Sequence, residues 1–213
     1  MTGPHQGQQV VTTGASLGDA KGAVVMVHGR GATAESILTL APALRRPEFA
    51  YLAPQAAGGA WYPNGFMAPI ASNEPGITSG LRAIDDVLSI LQAEGIPPER
   101  TVLLGFSQGA CLSLEYAARN ARRYGAVATL SGGLIGPDGT PRDYAGSMDG
   151  TPVFLGCSDV DFHIPAQRVE ASAEVMRGLG ADVTLRLYPG MGHTVNEDEI
   201  AHVQAILDGI AKD

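Results

Sequence analysis

Seven short apolar, β-branched runs punctuate the chain, at residues 9–13, 23–27, 49–53, 101–104, 126–130, 152–155 and 183–187. All but the first are nearly continuous in apolar character, as strands buried on both faces of a parallel sheet are. Between them the period changes. Leu81, Ile84, Val87, Leu88 and Leu91 recur at helical spacing, with Arg82, Asp85, Asp86 and Ser89 on the opposite side. Gly95 and then Pro97-Pro98 stop that helix. The pattern returns at 166–179 behind Pro165, suited to a first helical position, and at 197–211 behind Asn196, a good N-cap. Strands alternating with helices predict an α/β fold, a mostly parallel sheet of about seven strands flanked by helices. Residues 56–76 and 132–150 carry no clear period, and loops this long in a compact domain are often functional.

A length of 213 residues fits one domain, taken as 1–213. Hydrophobic residues make up 45% and charged residues 17%, a globular composition, and no apolar run approaches the ~20 residues of a bilayer span. The polar stretch 1–8, with Gly3, Pro4 and Gly7, is expected to be a flexible tail, and it lacks a signal-peptide pattern. Cys111 and Cys157 form no disulfide framework and sit in no metal spacing, so both are expected to be reduced and partly buried. The expected location is cytoplasmic. Lys plus Arg number 14 against 22 Asp plus Glu, a net charge of −8 with no basic run, which argues against nucleic acid as a partner. The oligomeric state is left open, a homodimer included.

Two pentapeptides fit G-x-S-x-G, one around Ser107 and one around Ser16. The chemistry needs a serine on a sharp turn between a buried strand and a helix, which lifts the hydroxyl into a pocket. Residues 101–104 supply the strand before Ser107 and 110–119 the helix after it. Ser16 runs into Leu17-Gly18-Asp19 with no helix and reads as a hairpin turn. A serine hydroxyl needs a base. His5 in the polar tail and His202 in the last helix are expected to be solvated, and His28 to brace a loop. His193 sits in a Gly-rich loop between the last strand and the last helix, where the chain order Ser, acid, His puts a base. The acid belongs on the loop after 152–155, where Asp159 and Asp161 both qualify. For the oxyanion, one donor is the N–H of Gln108, at a helix N-terminus. The other is the N–H of Arg30 or Gly31, on the Gly-rich loop after 23–27. No H-E-x-x-H or C-x-x-C is present, so no metal site is expected.

With these elements in order, the sequence resembles the phospholipase/carboxylesterase family of small α/β-hydrolases, from about Ala23 onward. The resemblance rests on His28-Gly29-Arg30-Gly31, Trp61-Tyr62-Pro63, Gly105-Phe106-Ser107-Gln108-Gly109, Asp161 with Ile164-Pro165, and Gly192-His193. It implies a three-layer α/β-hydrolase fold and a Ser107, Asp161, His193 triad, with Asp161 preferred to Asp159. It also implies oxyanion donors at Arg30 and Gln108. Arg30 stands where the better-known thioesterases carry an apolar residue and looks like a bacterial branch with H-G-R-G. The resemblance therefore implies short- to medium-chain acyl esters, and the charge of Arg30 alone suggests a polar or acidic group near it. Trp61, Tyr62, Phe66 and Met67 are candidates to wall the acyl pocket, Trp61 and Phe66 foremost.

The expected function is a serine carboxylic-ester hydrolase acting on a small-molecule ester through an acyl-enzyme, with no cofactor. A thioesterase or lactone hydrolase would use the same triad. The reading from another class is a silent binding protein on the same scaffold, since one fold hosts many functions.

Overall fold

The computed structural model describes residues 3–211. Its strands are β1 (Val10–Gly14), β2 (Gly22–Val27), β3 (Phe49–Pro54), β4 (Thr101–Phe106), β5 (Ala126–Leu130), β6 (Pro152–Ser158) and β7 (Asp182–Tyr188). Its helices are α1 (Ala34–Leu38), α2 (Ala41–Leu44), α3 (Gly76–Ala93), α4 (Gln108–Arg119), α5 (Ala166–Gly178) and α6 (Glu197–Ile210). The strands form one sheet in the order β1-β3-β2-β4-β5-β6-β7, parallel except for β1 against β3.

Period-two side chains divide the interior into two cores, one per face of the sheet. Ala23, Val25 and Val27 of β2 join Leu103, Val127 and Val153 under α3, α4 and α5. Val24 and Met26 join Leu104, Ala128 and Phe154 under α1, α2 and α6. This is the three-layer architecture expected from the sequence. The central strands are buried on both faces, whereas β7 is an edge. Asp182, Thr184 and Arg186 are exposed there, and Val183, Leu185 and Leu187 turn inward.

The N-terminal segment departs from expectation. Residues 3–8 fold back onto the body rather than forming a free tail, and His5 is 4% exposed rather than solvated. Its backbone N–H donates to Ser79 Oγ at 2.9 Å, and its ring bonds Trp61 O at 2.8 Å and the Ala57 N–H at 3.1 Å. Residues 1–2 of the expected tail lie outside the described residues. His202 is half-buried, its ring stacked on Phe154 with centroids 4.8 Å apart. The Ser16 segment is a turn, with Ser16 Oγ donating to Asp19 Oδ2 at 2.6 Å. It is not a hairpin, because β1 pairs with β3 and not with β2.

The segment 132–150 has almost no regular structure but is strapped down. Glu115, 1% exposed, accepts from the Ile135 N–H at 3.0 Å and the Tyr144 hydroxyl at 3.1 Å, and pairs with Arg119 at 2.7 Å. Arg168, 7% exposed, donates to Leu134 O, Gly136 O and Asp138. Both cysteines are free and buried. No helix among the described residues is long and apolar enough to cross a membrane.

Candidate active site

The C-terminal ends of β2, β4, β6 and β7 carry the predicted site, as open parallel sheets place their ligands. Ser107 sits between β4 and α4 at φ 54° and ψ −120°, a positive φ that a side-chain-bearing residue rarely adopts. Its neighbours make that turn feasible. A Cβ on Gly105 would lie 2.4 Å from Gly109 O, and one on Gly109 would lie 2.1 Å from Val27 O. Both glycines are required because β4, α4 and the end of β2 pass each other backbone to backbone.

The turn aims Ser107 Oγ at His193 Nε2, 2.8 Å away. His193 Nδ1 lies 2.6 Å from Asp161 Oδ2. Asp161 is buried, and its other oxygen accepts from the N–H groups of His163 at 2.9 Å and Ile164 at 3.1 Å. Burial raises its pKa, but the His193 contact and those backbone donors outweigh it and hold the carboxyl below its ordinary value. An ionised Asp161 accepts a hydrogen bond from Nδ1–H, which fixes the tautomer and leaves Nε2 as the acceptor for the serine hydroxyl. The imidazole is also held between rings, with Phe106 at 5.0 Å and His163 at 4.8 Å.

Asp159 does different work from Asp161. It accepts from the Gly190 N–H at 2.8 Å, while Ser158 Oγ accepts from the Gly192 N–H at 3.0 Å. Together they fasten the His193 loop to the end of β6. Ser158 was not singled out from the sequence, and one serine in a loop carries no signal for that bond.

Of the two early-loop candidates, the Gly31 N–H is committed to Gly59 O at 2.7 Å, whereas Arg30 lines the cleft with Ser107 and Gln108. The Gln108 N–H opens α4, where it has no helical acceptor and the helix dipole adds positive potential. The Gln108 side chain acts as a clamp, accepting from the Trp61 N–H at 2.8 Å and donating to Tyr62 O at 2.8 Å. The Arg30 guanidinium donates to Pro63 O and Asn64 O, so it holds the same loop from the other end. Those bonds compete with the expected role of Arg30 as a receptor for an acidic group. His28 is fully buried, its Nδ1 at 2.7 Å from Gly29 O and its Nε2 accepting from the Ala56 N–H at 3.1 Å. Burial lowers its pKa, so it stays neutral and braces the loop.

These groups line a cleft of about 330 Å³ whose walls include Tyr62, Phe66, Cys111 and Ile164. Phe66 is where the sequence placed it. Trp61 is not, because it is fully buried behind the cleft, with its indole N–H donating to His28 O at 2.9 Å. A buried indole needs an acceptor, and His28 O supplies one away from the cleft. Met67 packs against the core instead of lining the cleft. Among the described residues no cluster of three or more His, Cys, Asp or Glu is arranged to hold a metal.

The profile of the phospholipase/carboxylesterase family matches residues 8–210. Acyl-protein thioesterase 1 of Gibberella zeae is 39% identical over 116 residues, 53% of this chain and 49% of that protein. A probable carboxylesterase of Oryza sativa subsp. japonica is 26% identical over 141 residues, 64% of this chain and 53% of that protein. The chain spans about half the length of these curated relatives. A solved phospholipase/carboxylesterase from Dyadobacter fermentans superposes with a TM-score of 0.89 at 43% identity, over 95% of this chain and 96% of the other. The solved esterase PE8 superposes with a TM-score of 0.80 at 27% identity, over 95% and 99%. With a profile match from β1 to α6 on a fold shared end to end with these structures, the chain belongs to the phospholipase/carboxylesterase family of α/β-hydrolases.

Proposed function

We propose that the protein is a serine carboxylic-ester hydrolase working on short- to medium-chain acyl esters. The observation that carries the reading is the relay of 2.8 Å from Ser107 Oγ to His193 Nε2 and 2.6 Å from His193 Nδ1 to Asp161 Oδ2. In this reading Ser107 Oγ attacks the ester carbonyl while Nε2 takes its proton. The carbonyl oxygen becomes an oxyanion facing the N–H groups of Arg30 and Gln108. Asp161 stabilises the imidazolium. The C–O bond to the alcohol then breaks, Nε2 returns the proton to the departing oxygen, and an acyl-Ser107 ester remains. Water, deprotonated by Nε2, attacks that ester; the acyl carbon–Oγ bond then breaks, the imidazolium returns the proton to Ser107 Oγ, and the carboxylic acid leaves. The acyl chain rests against Tyr62, Phe66, Cys111 and Ile164.

The test is a series of p-nitrophenyl esters from acetate to palmitate, wild type beside Ser107→Ala. Wild type is expected to cleave a window of chain lengths and to be labelled by a fluorophosphonate. The variant is expected to lose about 10³-fold or more in kcat/KM and all labelling. Turnover by Ser107→Ala at the wild-type rate rules the mechanism out.

A thioester substrate is the second reading, favoured by the 39% identity to an acyl-protein thioesterase. The triad chemistry is unchanged, with a thiolate leaving in place of an alkoxide. Higher kcat/KM on an acyl thioester than on the matching oxygen ester selects this reading.

A further inference from the structure

A second groove, of about 500 Å³, adjoins the first. The two share Gly29, Ala32, Phe106 and His193, but only the first contains Ser107 and Gln108. His193 thus stands at the divide, facing both. We infer that the second groove binds the alcohol portion of the ester, and that it selects uncharged, apolar alcohols. This rests on the esterase reading and adds the leaving-group side of the substrate.

The argument starts from the bond that breaks. The acyl carbon becomes bonded to Ser107 Oγ, so the acyl chain must stay in the arm that holds Ser107 and Gln108. The alkoxide oxygen must take its proton from His193 Nε2, so the alcohol must extend past the imidazole. The groove beyond His193 is the one walled by Ile37, Leu40, Phe106 and Val195. Its walls are mostly apolar, and its polar groups are uncharged hydroxyls at Ser36, Thr39 and Thr194 and the imidazoles of His28 and His193. No Asp, Glu, Lys or Arg among the described residues lines it. The hydroxyls of Ser36 and Thr39 lie along it but turn back to the backbone, donating to Thr33 O at 2.6 Å and to Ser36 O at 2.7 Å. A charged alcohol entering here would lose hydration without gaining a partner of opposite charge, whereas an alkyl group would leave water for apolar surface.

The walls come from separate elements. Ile37 belongs to α1, Leu40 precedes α2, and Val195 follows the His193 loop. The capping box of Thr33 and Ser36 fixes the start of α1, and that of Asn196 and Glu199 fixes the start of α6. Both banks of the groove are therefore anchored by helix N-termini.

The experiment holds the acyl group constant as butyrate and varies the alcohol through methyl, butyl and hexyl. The readout is kcat/KM, which covers steps up to release of the alcohol; once the acyl-enzyme has formed, the alcohol has left. Expected is a rise of up to about fourfold per methylene that becomes buried, and roughly tenfold or more from methyl to butyl. The 3,3-dimethylbutyl ester is expected to exceed its cationic isostere, the choline ester, by about tenfold or more. Leu40→Asp and Leu40→Trp, one adding charge and one filling the groove, are each expected to bring the hexyl-to-methyl ratio down toward one. A flat alcohol series, with Ser107 still labelled and butyrate still released, overturns the groove assignment alone. So does a hexyl-to-methyl ratio that neither Leu40 variant moves. Loss of labelling and of all ester cleavage in wild type overturns the esterase reading, and the groove assignment with it.

Discussion

Glu199 is a buried carboxylate that the proposed mechanism leaves unused. It is fully buried at the start of α6, with one oxygen accepting from the Asn196 N–H at 2.9 Å and the other unpartnered against Gly156. Burial pushes its pKa from 4.5 up to about 7, with the Asn196 N–H opposing and the Asp198 charge adding to the rise. Between those two pH values the folded chain keeps a proton that the unfolded chain has released. Folding stability therefore declines as pH climbs through that window. At about 1.4 kcal/mol per pH unit, the accumulated cost is roughly 3 kcal/mol above the upper value. Glu199→Gln should be more stable than wild type by up to that amount near pH 8, with the difference vanishing near pH 4. Urea melts at the two pH values check this, and a gap of equal size at both defeats it. Nothing in the sequence marks Glu199, since a Glu in the first turn of a helix is ordinarily a solvated capping residue. Trp61 was misleading for a related reason. An aromatic in an irregular loop reads equally well as a pocket wall or as a packed anchor, and only its indole bond to His28 O separates the two.

At the scale of elements, the loop 132–150 depends on two charged side chains that reach it from helices. Glu115 of α4 collects a backbone N–H, a tyrosine hydroxyl and two arginines, and Arg168 of α5 holds two carbonyls and Asp138. Removing one partner of a buried ionic group leaves the others uncompensated. Glu115→Leu is expected to cost about 3 kcal/mol and to open the chain near Gly136 to limited proteolysis. Unchanged melting with an uncut loop would contradict this. The loop was legible as irregular but not as fastened, because its fasteners lie 20 or more residues away in sequence. The regular elements were far more legible. Each apolar run became a strand, since central strands advertise burial on both faces. The short helices α1 and α2, five and four residues, have too few turns for a period, and only the Gly-rich loop after β2 pointed to a helix there.

For the molecule as a whole, the N-terminal segment is part of the scaffold behind the site. His5 ties the loop carrying Ala57 and Trp61, Trp61 reports to His28 and Gln108, and Gln108 opens α4. His5→Ala leaves the Ala57 N–H and Trp61 O without their buried partner, and a melting temperature lower by roughly 5 °C is expected. A thermal scan matching wild type would show that this docking adds nothing. The polar look of residues 3–8 concealed it, because burial of one histidine by a distant tryptophan leaves no periodic trace. The elbow, by contrast, was readable from five letters, and its geometry reaches across the sheet. Gly105 and Gly109 leave no space for a side chain, while the Ser107 hydroxyl faces an open cleft. A lineage carrying this fold is thus free to exchange the reacting atom, oxygen for sulfur, far more readily than it can relocate the position that presents it.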